Sequence, residues 1–164
     1  MTVETGGLDI EVHRLLAAEG ATVAVAESLT GGLLGAALTD MAGASATFRG
    51  GVLAYATELK GSLLGVPEPL LEAEGAVSAH VAAAMAAGVR DRLDATYGVA
   101  LTGVAGPEPQ DGQPPGTVFV GVAGPDDGVV EALQLTGDRD AIRAAAVRGA
   151  LAALRDVLTA RGGR

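Results

Sequence analysis

The chain has 164 residues, no cysteine, and 20 acidic against 11 basic residues, which gives a formal net charge of -9. The lack of cysteine excludes thiol nucleophiles and Cys-ligated zinc, and the negative charge argues against binding to a nucleic-acid backbone. The amino terminus lacks the basic and apolar segments of a signal peptide, and no apolar run approaches the length of a membrane span. These features predict one cytoplasmic domain over residues 1–164, without nucleic-acid or membrane partners.

Hydrophobic periodicity predicts an alternation of helices and strands. In chain order the elements are a helix at 9–19, a strand at 22–26, a helix at about 30–41, a strand at 48–56, a short helix at 58–64, a long helix after Ser78, a strand in "TYGVALTG", a hairpin of "GTVFVGVA" and "GVVEALQLT", and a helix from about Asp138. This order predicts an α/β fold, a three-layer α/β/α sandwich with a mixed, mostly parallel sheet of about five strands.

Polar and glycine-rich segments follow the first three predicted strands. They read "ESLTGG", "YATELK" and "TGVAGP", and the last runs into a proline-rich loop, Gly106–Gly116. Ligands of open α/β sheets bind outside the carboxyl ends of the strands. The sequence therefore predicts that these segments meet at one ligand-binding crevice.

Ser28 lies where the first of these strands would turn into a helix. Free backbone N–H groups and the helix dipole at such a helix start favour developing negative charge, as on an oxyanion or a phosphate. The simpler alternative is that Ser28 or Thr30 caps the helix and that Gly31 and Gly32 ease the turn. The stretch by itself leaves both interpretations open.

A nucleophilic serine needs a base, and the two histidines, His13 and His80, are poor candidates because both fall on helices as expected surface residues. Lys60 is the better candidate. A lysine that is desolvated in a crevice can lose its proton near neutral pH and accept one from a serine hydroxyl. An isolated lysine in a short helix is more commonly a solvated surface charge, so composition alone does not assign it a function.

Ordered blocks along nearly the whole chain resemble the CinA C-terminal domain family. They are "VAVAESLTGGLLGAALTDMAGASATFRGGVLAYATELKGSLLGV", "GAVSAHVAAAMAAGV", "LTGVAGP", "PGTVFVGV" and "GDRDAIR". The resemblance implies a nicotinamide-nucleotide amidase, which hydrolyses nicotinamide mononucleotide to nicotinate mononucleotide and ammonia in pyridine nucleotide (NAD) salvage. It implies Ser28 as nucleophile and Lys60 as base, with no metal and no cofactor. It also implies a homodimer with a small-molecule mononucleotide as substrate.

Two further residues near this pair have expected roles. Tyr55 is expected to hydrogen-bond the serine–lysine pair or to pack on the pyridine ring, although an aromatic residue at a strand end also suits the edge of the core. Glu27 precedes the nucleophile, and we expect it to hold N–H groups of the loop rather than to transfer protons.

Substrate binding is assigned to residues in the same blocks. Thr102 and Gly103, at a strand end, are expected to orient Lys60 or to approach the substrate through their backbone. The substrate phosphate needs positive charge or a nest of backbone N–H groups; for the positive charge Arg139 is the first choice and Arg49 the second. Arg139 between two aspartates also suits a merely exposed, charged helix start. The remaining residues assigned to the substrate are Thr30, Gly31 and Gly32.

Three departures from the family pattern bear on these assignments. Leu29 stands where cysteine is common, Thr57 where asparagine is usual, and the 106–116 loop replaces a more glycine-rich segment that usually carries a lysine. If the lost groups contact substrate, affinity or substrate choice differs. The competing interpretations are a nucleotide-binding or regulatory module with little turnover and a structural partner protein. The retained serine–lysine pair favours the enzyme.

Overall fold

The computed structural model describes residues 1–164, in which the predicted helices and strands occur in the predicted order, with one additional short α-helix. The helices are α1 (Leu8–Glu19), α2 (Leu33–Thr39), α3 (Thr57–Leu64), α4 (Glu68–Glu74), α5 (Ala79–Arg92) and α6 (Arg139–Gly162). The strands are β1 (Val23–Glu27), β2 (Phe48–Leu53), β3 (Tyr97–Gly103), β4 (Thr117–Ala123) and β5 (Gly128–Gln134). No helix is both long enough and apolar enough to cross a membrane.

The strands form one five-stranded sheet in the order β2-β1-β3-β4-β5. β1 runs parallel to both of its neighbours, β2 and β3, whereas β4 pairs antiparallel with β3 and β5. The carboxyl ends of β1, β2 and β3 therefore lie at the same edge of the sheet. The predicted α/β fold with a mixed, five-stranded sheet and a late hairpin is confirmed.

Alternate residues of β1 divide the apolar core between the two faces of the sheet. Val23 and Val25 belong to a cluster that includes side chains of α1, α2 and α6, whereas Ala24 and Ala26 face α3 and α5. On the second face α5 lies very close to the strands: a Cβ atom at Gly98 would come within 2.0 Å of an α5 carbonyl oxygen. The small residues of the sequence thus set the spacing of this layer.

Two boundaries differ from the sequence prediction by three residues, and one α-helix was not predicted. α2 is shorter at its start because Gly31 and Gly32 have φ angles of 57° and 105°, so the helix begins only after them. β2 ends at Leu53, which leaves three residues to connect it to α3. α4 is the additional helix, in a segment where "GVPEP" predicts a turn. The prolines do not prevent the helix, because Pro67 is its N-cap and Pro69 lies in its first turn, where proline is tolerated.

Candidate active site

Ser28 and Lys60 meet at the carboxyl edge of the sheet. Ser28 follows β1 directly, and Lys60 lies in α3, which follows β2. Lys60 Nζ lies 3.1 Å from Ser28 Oγ, 2.7 Å from the carbonyl oxygen of Ala54 and 3.4 Å from that of Tyr55. The lysine is only 1% exposed, so its amino group is enclosed among these three oxygens.

Burial controls the protonation of Lys60. Desolvation lowers the pKa of its amino group from the ordinary value of 10.5 to about 8, and the negative charges of Asp111 and Glu58 oppose this fall. A neutral amine has two N–H donors and one lone pair. If the two carbonyl oxygens accept the N–H groups, the lone pair is left for the Ser28 hydroxyl. The arrangement therefore suits a base that accepts the proton of Ser28.

Glu27 organises the turn that carries Ser28. Its side chain is buried, and its carboxylate accepts hydrogen bonds from the backbone N–H groups of Gly32 at 3.2 Å, Leu34 at 2.9 Å and Gly35 at 3.0 Å. These donors belong to the start of α2, which carries the positive end of the helix dipole. Glu27 therefore holds the loop as expected, and it occupies the helix start that was expected to face a ligand anion.

Other N–H groups of the same turn remain free. The backbone N–H groups of Leu29 and Thr30 donate to no acceptor in the chain. Leu29 directly follows Ser28 and lines the pocket beside it. An anion bound next to Ser28 would therefore meet the amide of Leu29 rather than the N–H groups at the start of α2.

Arg143 of α6 supports the turn from its other side. Its Nε donates to the carbonyl oxygen of Leu29 at 2.9 Å, and its Nη2 donates to that of Thr30 at 3.3 Å. Arg143 was not predicted from the sequence as part of the site. The spacing of the two arginines could have indicated it, because Arg143 lies four residues after Arg139 and so shares its face of the helix.

A pocket of about 340 Å³ opens beside Ser28. Its lining consists of Ser28, Leu29, Tyr55, residues 103–110 and Arg139. The strand end at Gly103 and the first half of the proline-rich loop make up most of the wall, in agreement with the predicted position of that loop next to the crevice. Lys60 does not line the pocket and contacts it through Ser28.

Arg139 and Tyr55 form the rim of this pocket. Arg139 donates from Nη1 to the carbonyl oxygen of Gly106 at 2.6 Å and from Nη2 to the Tyr55 hydroxyl at 3.3 Å. The Tyr55 side chain is directed to this rim and is 63% exposed, so it is the backbone carbonyl of Tyr55, not its hydroxyl, that contacts Lys60. The guanidinium of Arg139 places positive charge at the mouth of the pocket.

Several residues predicted to bind substrate lie outside the pocket lining. Arg49 lies near the amino end of β2, and its Nε donates to the carbonyl oxygen of Leu93 at 2.6 Å. The prediction for Arg49 is thereby corrected, because this end of a parallel strand lies opposite the pocket. The Thr102 hydroxyl donates to the carbonyl oxygen of Ala76 at 2.6 Å and so does not orient Lys60. The remaining predicted substrate-binding residues outside the pocket lining are those of the turn after Ser28, namely Thr30, Gly31 and Gly32.

No group of three or more histidine, aspartate or glutamate side chains is placed to hold a metal ion. His13 and His80, the two histidines, lie away from the pocket: His13 Nδ1 is 2.7 Å from the Thr47 hydroxyl, and His80 Nδ1 is 2.7 Å from the Glu74 carboxylate. Lys60 is therefore the nitrogen base in contact with Ser28.

The sequence and the fold both match known proteins. A family model of the CinA C-terminal domain covers residues 7–158. A CinA-like protein of Frankia casuarinae is 61% identical over 144 residues, which is 88% of this chain and 33% of that protein. The chain thus spans about a third of the length of the curated relatives it matches.

Solved structures show the same architecture. Competence damage-inducible protein A (ComA) of Klebsiella pneumoniae gives a TM-score of 0.91 at 36% identity, covering 95% of this chain and 98% of that one. Competence/damage inducible protein CihA of Agrobacterium tumefaciens gives 0.88 at 34% identity, covering 97% and 99%. On the family match and these likenesses, the chain belongs to the CinA C-terminal domain family.

Proposed function

We propose that this chain is an amidohydrolase that converts nicotinamide mononucleotide to nicotinate mononucleotide and ammonia. The observation that carries the proposal is the 3.1 Å contact between Ser28 Oγ and the buried Nζ of Lys60, beside a pocket. The substrate is inferred from the resemblance of the sequence blocks to the amidase family. Arg139 at the rim supports it, because a mononucleotide carries a phosphate that needs a cation.

The burial of Lys60 favours an enzyme over a binding module. An ammonium group that only bound a ligand would gain nothing from a lowered pKa, whereas a general base needs a pKa near the working pH. The pKa of about 8 meets this requirement. Turnover is therefore expected to rise with pH through about 8, as Lys60 loses its proton.

The first half of the reaction forms an acyl-enzyme. Neutral Lys60 accepts the proton of Ser28 as Oγ attacks the carboxamide carbon. The carbonyl oxygen becomes an oxyanion, for which the free N–H group of Leu29, a residue of the pocket lining, is the proposed donor. The intermediate collapses, the carbon–nitrogen bond breaks, and the Lys60 ammonium donates its proton to the departing nitrogen, which leaves as ammonia.

The second half restores the enzyme. Water attacks the acyl carbon, and neutral Lys60 accepts a proton from the water. When the bond to Oγ breaks, Lys60 returns this proton to Ser28, and nicotinate mononucleotide leaves. One lysine therefore serves as base and acid in both halves.

The direct test is ammonia release from nicotinamide mononucleotide by the purified protein and by Ser28→Ala and Lys60→Ala. Ser62→Ala is the matched control, because Ser62 is an exposed serine on the same helix as Lys60. We expect Ser62→Ala to retain full activity and both site variants to lose at least about 1,000-fold in kcat. Acid quenching during turnover should leave nicotinate mononucleotide as an ester on the peptide that contains Ser28.

The role of Arg139 has its own test. Arg139→Gln is expected to raise KM for nicotinamide mononucleotide by about 10-fold or more and to change little for nicotinamide riboside, which has no phosphate. Equal effects on the two compounds would show that Arg139 does not bind phosphate. Absence of turnover in folded wild-type protein, with nucleotide binding retained, would instead favour the nucleotide-binding or regulatory module.

A further inference from the structure

The proline-rich loop that walls the pocket is closed by a two-residue turn. Gln110 N–H donates to Gln113 O at 3.1 Å, and Gln113 N–H donates to Gln110 O at 2.8 Å. Between them Asp111 and Gly112 have φ angles of 50° and 76°. Positive φ at both central positions is the geometry of a type I′ turn, for which Asp-Gly is a preferred pair. Asp111 therefore stands at the tip of a small hairpin within the loop.

The side chain of Asp111 attaches this tip to the connection between α4 and α5. Its Oδ2 accepts the backbone N–H of Ala76 at 2.9 Å. Gly75 fits directly against it, since a Cβ atom there would lie 2.8 Å from the Asp111 Cβ. The carbonyl oxygen of Ala76 accepts the Thr102 hydroxyl. One residue, Ala76, thus joins the tip of the loop through its N–H to the strand end next to the pocket through its carbonyl group.

The same carboxylate acts on the buried lysine. Asp111 from the loop and Glu58 from the first turn of α3 are the two charged groups whose fields favour the ammonium form of Lys60, and Asp111 has the larger effect. Asp111 is exposed, so solvent screens its charge and the expected effect is modest.

We propose that Asp111 is a positioning residue of this site, which holds the pocket wall through its hydrogen bond to Ala76. The kinetic consequences rest on the proposed amidase function. The tether and the charge effect are properties of the fold and can be measured without substrate.

Two substitutions separate the tether from the charge. Asp111→Asn removes the charge but keeps a hydrogen-bond acceptor and a residue that tolerates positive φ. Asp111→Gly also permits the turn but removes both the charge and the acceptor. Asp127→Asn is the control for an aspartate-to-asparagine change, because Asp127 is an exposed residue of the β4–β5 turn, outside the pocket.

The charge effect is measured on Lys60 itself. Lys60 is the only lysine of the sequence, so labelling with ¹³Cε-lysine in a tag-free protein gives one side-chain resonance whose titration reports its pKa. We expect a pKa of about 8 in the wild type and in Asp127→Asn. In Asp111→Asn and Asp111→Gly we expect a lower pKa, because the negative charge that favours the ammonium form is removed. The same pKa in all four proteins would overturn the charge effect.

The tether is measured by hydrogen exchange of the Ala76 amide and by kinetics. The amide should exchange at least about 10-fold faster in Asp111→Gly than in Asp111→Asn, because only asparagine keeps an acceptor. KM for nicotinamide mononucleotide should be about 10-fold higher in Asp111→Gly than in Asp111→Asn. In both variants the acid limb of the pH profile of kcat/KM should shift to lower pH with the lysine pKa.

These outcomes distinguish the two proposals. Equal amide exchange in Asp111→Gly and Asp111→Asn would overturn the tether, whatever the protein catalyses. An altered exchange rate with an unchanged KM would overturn its role in holding the pocket wall. If the wild type hydrolyses no nicotinamide mononucleotide, the proposed function fails, while amide exchange and the lysine titration still decide the contacts of Asp111.

Discussion

Replacing Lys60 with methionine tests whether burial of the Lys60 ammonium group lowers the free energy of unfolding. The position is 1% exposed, and methionine keeps an unbranched side chain without the charge. The pKa of the lysine is about 8 in the fold and 10.5 ordinarily. At about 1.4 kcal/mol for each unit of this difference, burial of the ammonium destabilises the wild type by about 3 kcal/mol below pH 8.

The pH dependence of this destabilisation has a definite sign. Between the folded pKa of about 8 and the unfolded value of 10.5, the unfolded chain binds a proton at Lys60 that the folded chain does not. The free energy of unfolding of the wild type therefore rises with pH in this window. Relative to Lys60→Met, the wild type should gain about 2–3 kcal/mol between pH 7 and pH 10. All other groups titrate in both proteins and cancel in the difference.

The assay is urea unfolding followed by far-ultraviolet circular dichroism, at several pH values across this window and on both proteins. At neutral pH the variant should be inactive yet about as stable as the wild type. The removed charge is offset by the carbonyl oxygen of Ala54, which loses its partner at a cost of about 1–3 kcal/mol. A difference between the two proteins that stays constant with pH would refute the argument, because Lys60 would then keep its ordinary pKa in the fold.

Three further substitutions test the supports of the site and the core. Glu27→Gln should lower the free energy of unfolding by about 2 kcal/mol in urea titrations, because an amide cannot accept all three N–H groups of the turn and of α2. Arg143→Gln should reduce kcat about 10-fold in the ammonia assay, because the carbonyl groups after Ser28 lose their donor. Tyr97→Phe should lower the melting temperature, with a loss of about 1 kcal/mol, because the Tyr97 hydroxyl donates to Glu19 at 2.9 Å.

Each of these has a contrary outcome. An unchanged urea midpoint in Glu27→Gln would mean that its hydrogen bonds add no net stability. Full activity in Arg143→Gln would show that the turn holds its shape without this side chain. A melting temperature of Tyr97→Phe equal to that of the wild type would assign the Tyr97–Glu19 hydrogen bond no net energy.

The position of the site followed from the sequence because local patterns determine it. Apolar runs mark the strands, and ligand sites of such sheets lie where parallel strands end, so Ser28, Lys60 and Gly103 were placed at one edge. The assignment of Arg49 to substrate binding did not follow this rule, because Arg49 stands at the start of its predicted strand and not at the end. Arg139 follows the last predicted turn, and its position at the rim depends on how α6 packs.

Other contacts depended on partners far apart in the chain. The Thr102 hydroxyl binds a carbonyl group 26 residues earlier, and no spacing rule connects the two. The competition between Glu27 and a ligand for the start of α2 could not be decided from residue types, because both interpretations use the same N–H groups. Arg143 reaches across 114 residues to Leu29, so only the assembled layers bring the two together.

The close approach of α5 to the sheet restricts how this chain can vary. At Gly98 and Gly121 even a methyl group would meet a carbonyl oxygen of α5, at 2.0 and 2.4 Å. Neither rotamer choice nor a smaller neighbour relieves a clash with backbone, so both positions admit glycine alone unless the helix moves. On the opposite face the valines and leucines meet side chains, which can exchange volume among themselves. Core substitutions are therefore better tolerated on the side of α1, α2 and α6, whereas substitutions at these glycines on the α5 side require the helix to move.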